Sequence, residues 1–293
     1  MLDGRVAIVT GAGAGLGRAE ALALAAAGAR VVVNDVGAEG AHAVVEEIRA
    51  AGGEAVAHRA DVAAWRTGED LVGVATRRWG RLDIVVNNAG FLRDRMIFNM
   101  SEDEWDDSIR VHLKGHFVLL RAATRHWRDA SKAAGAPVYA RVVNTSSEAF
   151  LSGSPGQPNY AAAKAGIVGL TLAVANSCGR YGVRANAICP RARTGMTDER
   201  FDPPEDGAAD PLSTDHVAPL VVYLASPAAD HVTAQVLIVY GGRIGLLGAP
   251  ALRELFHARG DAFTPAEIDG ALGAAIARDP ERTYKARRLL ETD

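Results

Sequence analysis

The chain has 293 residues, 48% of them hydrophobic, and a formal net charge of -3. That is apolar material enough for a large core, and the slight acidity gives no reason to expect nucleic acid, which calls for a basic face. Two cysteines, Cys178 and Cys189, exclude a disulfide framework and fit a reducing, cytoplasmic setting.

No targeting peptide is read at the start, because Arg5 is followed at once by the apolar run Val6-Ala-Ile-Val-Thr10. That run is predicted as a strand, with others at 30–35, 54–59, 83–87, 139–145, 183–188 and 234–239. Ala-rich segments of helical character lie between them, near 16–28, 38–51, 65–79, 102–128, 158–180 and 214–225. The alternation implies βαβ units and a parallel sheet of about seven strands with helices on both faces. Continuous runs such as Val31-Val32-Val33 are what doubly covered strands require. The longest uncharged apolar run, Ala21 to Ala29, is too short to span a bilayer, so no membrane is expected. Residues 198–211 (DERFDPPEDGAADP) are acidic and Pro-rich and are predicted as a mobile surface loop. From about 243 the tail reads as helical, carrying Leu246, Leu247, Leu252, Leu255 and Phe256, and serves as a lid, an oligomer contact or plain packing.

The first strand is followed by Thr10-Gly11-Ala-Gly13-Ala14-Gly15-Leu16-Gly17 and then by the first helical segment. Glycines permit a tight turn and close approach of backbone to phosphate. The helix start offers free N–H groups and a positive dipole end to a pyrophosphate. Gly11, Gly15 and Gly17 fit G-x-x-x-G-x-G; the commoner G-x-G-x-x-G needs glycine where Leu16 stands. Asp35 ends the second strand eighteen residues after Gly17, where a carboxylate can accept from the ribose hydroxyls of an adenosine. A glycine loop alone does no more than make a turn. Loop, helix and acid at these distances point to dinucleotide binding.

Tyr160-Ala-Ala-Ala-Lys164 opens the 158–180 helix, so tyrosine and lysine share a face. An ammonium near the phenol lowers its pKa from about 10 and makes it a general acid/base for carbonyl–hydroxyl interconversion. Ser147, thirteen residues earlier at the end of a strand, is placed to orient the substrate oxygen. A Tyr-x-x-x-Lys pair by itself is common on exposed helix faces; order and spacing behind the glycine loop give this one its force.

The set resembles the short-chain dehydrogenase/reductases over nearly all of residues 4–245. The carrying segments are TGAGAGLG at 10–17, Asp35, Asp61-Val62, Asn87-Asn88-Ala89-Gly90, Thr145-Ser146-Ser147, YAAAK at 160–164 and Cys189-Pro190. The resemblance implies one Rossmann-type, doubly wound α/β domain over 1–245 that binds NAD(P) and catalyses hydride transfer, and Asp35 selects NAD. Residues 246–293 are then a helical C-terminal extension, packed on that domain or on a partner subunit. The cofactor contacts implied are Gly11, Ala14, Gly15, Leu16, Gly17, Asp35, the adenine-holding Asp61 and Val62, the wall Asn88, Ala89 and Gly90, and Tyr160, Lys164 and Pro190. Catalysis falls to Tyr160 as acid/base, Lys164 on the nicotinamide ribose and Ser147 on the substrate oxygen. A homodimer or homotetramer is expected, acting on a small-molecule secondary alcohol or ketone.

Two positions depart from the family. His112 stands where an asparagine usually holds a relay water, and Arg191 follows Pro190 in place of glycine. His112 either keeps the water through its backbone carbonyl or alters the relay. His112 and His116 have the i, i+4 spacing of some metal sites, but no third ligand is near in sequence and no metal is expected. Arg191 and Arg193 serve either to hold an acyl-CoA phosphate or as solvated loop arginines.

The runs Val31-Val-Val-Asn34-Asp35, VHLKG and Pro190-Arg-Ala-Arg-Thr-Gly-Met196-Thr197 resemble the dehydrogenase part of multifunctional β-oxidation proteins and bacterial hydroxysteroid or 3-hydroxyacyl-CoA dehydrogenases. The substrate implied is a 3-hydroxyacyl-CoA or a hydroxysteroid. An NADPH-dependent 3-oxoacyl carrier-protein reductase is opposed by Asp35 and by Ala14, where a basic residue would stand. A non-catalytic NAD-binding sensor is opposed by the presence of both Tyr160 and Lys164.

Overall fold

Each apolar run forms a strand because helices cover it on both sides. In the computed structural model, which describes residues 1–195, 210–252 and 254–278, Val6–Thr10 (β1) is buried at all five positions. Arg30–Asp35 (β2), Ala55–Arg59 (β3), Ile84–Asn87 (β4), Ala140–Thr145 (β5), Val183–Pro190 (β6) and Val236–Tyr240 (β7) complete a parallel set in the order β3-β2-β1-β4-β5-β6-β7. β1 lies between β2 and β4, with Val9 opposite Val33 on one side and Val86 on the other. This is the switch point of a doubly wound sheet, and its crevice opens at the carboxyl ends of the strands.

Alternate residues of one strand feed two cores. Val9, Val31 and Val33 pack with Leu24, Ile48 and Val221 under Gly15–Ala26 (α1), Ala38–Ala50 (α2) and Ala218–Ala225 (α8). Ile8 and Val32 pack with Leu71, Leu119 and Trp127 under Thr67–Trp79 (α3), Gly115–Ala134 (α5) and Pro158–Cys178 (α7). The stretch Pro158–Tyr181 has the length and apolarity of a membrane span, but it is packed on β6 and carries the buried Lys164.

The structure bears out the fold class and refines four details of it. The sheet has eight strands, because Arg243–Leu246 (β8) pairs antiparallel with β7. Gly241 and Gly242, both at positive φ (45° and 42°), make the two-residue turn between them. The tail therefore starts as a strand, and its described helices, Pro265–Ile268 (α9) and Ala274–Ala277 (α10), come later. The helix expected at 102–128 is Glu102–Ser108 (α4), a π-helical turn at Ile109–Lys114 and then α5. The segment expected as a helix from 214 begins with a short 3₁₀ turn at Thr214–His216 before α8. Of the loop expected at 198–211, residues 198–209 lie outside the described residues, as does the tail after 278.

Candidate active site

The glycine loop is built by close approach. Gly11 has φ 61°, and a Cβ there would lie 2.7 Å from the Ala89 Cα; one on Gly17 would lie 2.3 Å from the Gly11 carbonyl oxygen. Thr10 Oγ1 accepts from the Asn88 and Ala89 N–H groups at 3.1 and 3.2 Å. The Asn88 amide donates back to the Thr10 and Gly11 carbonyls. The first helix then starts with no side-chain cap from Ala14 and no acidic residue in its first turn. Its N–H groups are left for an anion.

Asp35 is oriented by two backbone donors, Gly13 N–H to Oδ2 and Gly37 N–H to Oδ1, each at 2.9 Å. The role of Gly13 had no signal in the glycine spacing. Asp61 accepts from Ala63 N–H at 2.9 Å and from the Arg110 guanidinium. Burial alone would raise the Asp61 carboxyl, but these donors more than offset it and hold it below its ordinary value. Val62 fits because position 115 is glycine, whose Cβ would come within 2.7 Å of Val62 Cγ2.

A groove of about 460 Å³ is lined by Gly11, Ala14, Gly15, Leu16, Asp35, Asp61, Val62, Asn88, Ala89 and Gly90, together with Arg110 and Thr194. Beside it a cavity of about 90 Å³ is lined by Leu16, Asn88, Gly90, His112, Tyr160, Lys164 and Pro190. Of the cofactor contacts and catalytic residues expected from the sequence, Gly17 and Ser147 line neither. Gly17 packs beneath the loop, and Ser147 is hydrogen-bonded to Tyr160. An uncapped helix start, two positioned carboxylates and a groove running to a tyrosine suit a nicotinamide dinucleotide. A larger apolar groove of about 630 Å³, between α1 and α8, has Arg18 and Asp215 as its charged lining residues and lies away from these groups.

Tyr160 and Lys164 stand in the first two turns of α7, which starts with Pro158. Asn159 anchors that start. Its amide donates to the Arg93 and Glu104 carbonyls at 3.0 and 2.8 Å, and its Oδ1 accepts from Tyr160 N–H at 2.7 Å. Lys164 Nζ donates to the Thr145 carbonyl at 2.6 Å and lies 5.3 Å from the Tyr160 ring centre. Ser146 Oγ donates to the Lys164 carbonyl at 2.9 Å, which locks helix to strand end.

Burial sets the titration here. It pushes the Tyr160 phenol up to about 12, against the hydrogen bond with Ser147, and pulls the Lys164 ammonium down to about 7. The expected lowering of the phenol by Lys164 is not seen in the protein alone: the hydrogen bond with Ser147 is what favours the phenolate, and desolvation outweighs it. His112 is pulled down to about 3, first by burial and then by Lys164. It is a neutral imidazole. Its Nε2 lies 2.6 Å from the Phe91 carbonyl oxygen, which only accepts, and 3.3 Å from the Phe91 N–H, and the shorter contact assigns the proton to Nε2. The ring stands edge-on to Tyr160 at 5.1 Å, and a Cβ at Gly90 would lie 2.2 Å from its Cε1. His116 is neutral as well, held well below its ordinary value by burial. Among the described residues no three His, Cys, Asp or Glu side chains converge as metal ligands do.

Arg191 and Arg193 are both engaged by carboxylates. Arg191 donates to both oxygens of Glu148, at 2.5 and 2.9 Å, and Arg193 donates to Asp210 at 2.9 Å. Of the two expected roles, that of a freely solvated loop arginine fits neither residue.

The sequence model of the family described as short chain dehydrogenase matches residues 5–205. The hydroxyacyl-CoA dehydrogenase ChsB1 of Mycobacterium tuberculosis is 54% identical over 99% of this chain and 94% of its own length. The peroxisomal multifunctional enzyme type 2 of Mus musculus is 41% identical over 78% of this chain, which spans 30% of that protein. The crystal structure of a short chain dehydrogenase from Mycobacterium avium is 48% identical and superposes with a TM-score of 0.86, covering 94% of this chain and 96% of that one.

Proposed function

Because the chain belongs to the short-chain dehydrogenases, oxidoreductases that interconvert secondary alcohols and ketones with a nicotinamide cofactor, we propose that it uses NAD and acts on a 3-hydroxyacyl-CoA. The observation that carries the cofactor assignment is the Asp35 carboxylate, held by two backbone donors at the wall of the groove. A carboxylate there accepts from ribose hydroxyls and repels a 2′-phosphate. That also disfavours an NADPH-dependent carrier-protein reductase. The substrate class is supported by the hydroxyacyl-CoA dehydrogenase that matches nearly the whole chain.

When bound, the oxidised nicotinamide supplies a hydride acceptor and a positive charge. The chain's own residues do the rest. Ser147 holds the substrate oxygen through its hydroxyl. Tyr160 takes the hydroxyl proton during oxidation and returns it during reduction. Lys164 donates to the nicotinamide ribose and stabilises the phenolate. His112, with its one N–H committed to Phe91, braces the Tyr160 ring and the Gly90–Phe91 wall through its side chain.

A panel of 3-hydroxyacyl-CoAs, hydroxysteroids and simple secondary alcohols, read by NADH formation, tests the substrate class; turnover confined to steroids would overturn it. Tyr160→Phe should lower kcat by about 10²–10⁴ on the best substrate while NAD affinity stays near that of the parent. Near-normal kcat in that variant would mean that Tyr160 is not the acid/base.

A further inference from the structure

The ion pair between Arg191 and Glu148 joins two segments that both border the reacting groups. Glu148 directly follows Ser147, and Arg191 directly follows Pro190 at the end of β6. The guanidinium meets both carboxylate oxygens, which is the geometry of a planar fork on a carboxylate. Both partners are sheltered, with side-chain exposures of 34% and 18%. Arg191 is held from two further directions. Its N–H donates to the Val239 carbonyl at 3.0 Å, and its guanidinium lies 4.9 Å from the Tyr240 ring centre. Tyr240 in turn accepts from Arg243 at 3.1 Å. The turn that carries Ser147 is thereby tied through one side chain to β6 and β7.

The same pair controls a charge. Glu148 is the residue after Ser147, whose side chain is hydrogen-bonded to Tyr160, so its charge stands one residue from the group that touches the phenol. The groups facing Glu148 are Arg191 and Cys189, both carried by the end of β6. Those facing Tyr160 are Ser147, Cys189, Lys164 and His112. A carboxylate left without its guanidinium would add an uncompensated negative charge near the phenol, at a part-buried position where water screens it only in part.

We propose that Arg191 is a positioning residue for the reaction: it clamps Glu148, fixing the Ser147 turn against the end of β6 and keeping a negative charge from acting on the Tyr160 hydroxyl. This rests on the acid/base reading of Tyr160.

The test is the pH profile of alcohol oxidation with NAD and 3-hydroxybutyryl-CoA, or the best substrate of the panel, for the parent, Arg191→Gly, Glu148→Gln and the double variant. Arg191→Gly should lower kcat by about tenfold and move the rising limb to higher pH by on the order of one unit, because a nearby negative charge makes the phenol harder to ionise. The double variant should restore the position of the limb, since the stray charge is gone, and recover only part of kcat, since the tie is still missing. Arg191→Lys should keep the limb near the parent value and lose part of kcat, having charge without the fork. An unmoved limb in Arg191→Gly, even with a lower melting temperature, would reduce the pair to a structural brace and overturn the proposal. So would a shifted limb that the double variant fails to restore. Activity surviving in Tyr160→Phe would instead sink the acid/base assignment, a separate result.

Discussion

Asp35 meets the groove with each oxygen already holding one backbone N–H, so its position does not depend on a ligand. A phosphate on the ribose oxygen would come within about 4 Å of it, a repulsion of roughly 4 kcal/mol per pair of unit charges at an effective dielectric of about 20. Screening at a part-exposed site reduces that to about 1–3 kcal/mol. One neighbour acts in the other direction. Arg59 is in register with Asp35 across β2 and β3, and its Nε donates to the Val36 carbonyl at 3.3 Å. NAD should be preferred over NADP by at least about tenfold in kcat/KM, the equivalent of about 1.4 kcal/mol. Asp35→Ala should narrow the gap, and adding Arg59→Ala should widen it again. Kinetics with both cofactors on one substrate decide this, and equal use by the parent would contradict the role given to Asp35. At this scale the glycine spacing, Asp35 and the Tyr–Lys pair were legible, because each has a fixed offset along the chain. Gly13, Asn159 and the Arg191–Glu148 pair were not. A backbone donor leaves no mark on composition, and the ion pair spans 43 positions of sequence.

Among elements, the first helix carries the sharpest expectation. Its N-cap is Ala14, which offers no side-chain acceptor, and its first turn has no acid. Ala14→Asp should supply the missing cap, worth about 0.5–2 kcal/mol of stability. The same carboxylate would stand where the helix start should receive a pyrophosphate. A higher melting temperature with at least about tenfold weaker NAD binding is expected, since about 1.4 kcal/mol of repulsion is enough for that. Calorimetry reads both quantities, and unchanged NAD affinity would show that the helix start does not face the cofactor. The seven parallel strands were legible because burial on both faces demands unbroken apolar runs. β8 was not, for Ile244 and Leu246 are 60% and 66% exposed and read as a loose tail. The usable sign was Gly241-Gly242, a hairpin turn between two short runs. The π-helical turn at Ile109–Lys114 was hidden because one extra residue in a turn barely disturbs helical periodicity.

Over the whole molecule, one residue sets a pH dependence unrelated to catalysis. Glu20, on the same face of α1 as Leu16 and Leu24, is fully buried with no hydrogen-bond partner for either oxygen among the described residues, and burial raises its carboxyl from 4.5 to about 8. The folded state thus binds this proton more tightly than the unfolded one. Its contribution is fully present below pH 4.5 and is lost as pH rises to about 8, at about 1.4 kcal/mol per unit. Glu20→Gln should flatten stability against pH across that window, measured by denaturant unfolding at several pH values; equal slopes in parent and variant would show that the carboxyl finds a partner. The hairpin has a wider consequence. β8 runs back along β7, from Arg243 beside Tyr240 to Leu246 beside Leu237. The chain therefore leaves the sheet at the end opposite the glycine loop, Ser147 and Pro190. To cover the catalytic mouth, the tail would first have to retrace the roughly 17 Å of a five-residue strand. With the part-exposed Cys178 replaced by serine, a cysteine installed at Gly248 would accordingly anchor the protein to a sensor surface by its back, leaving the mouth turned toward the bulk solution.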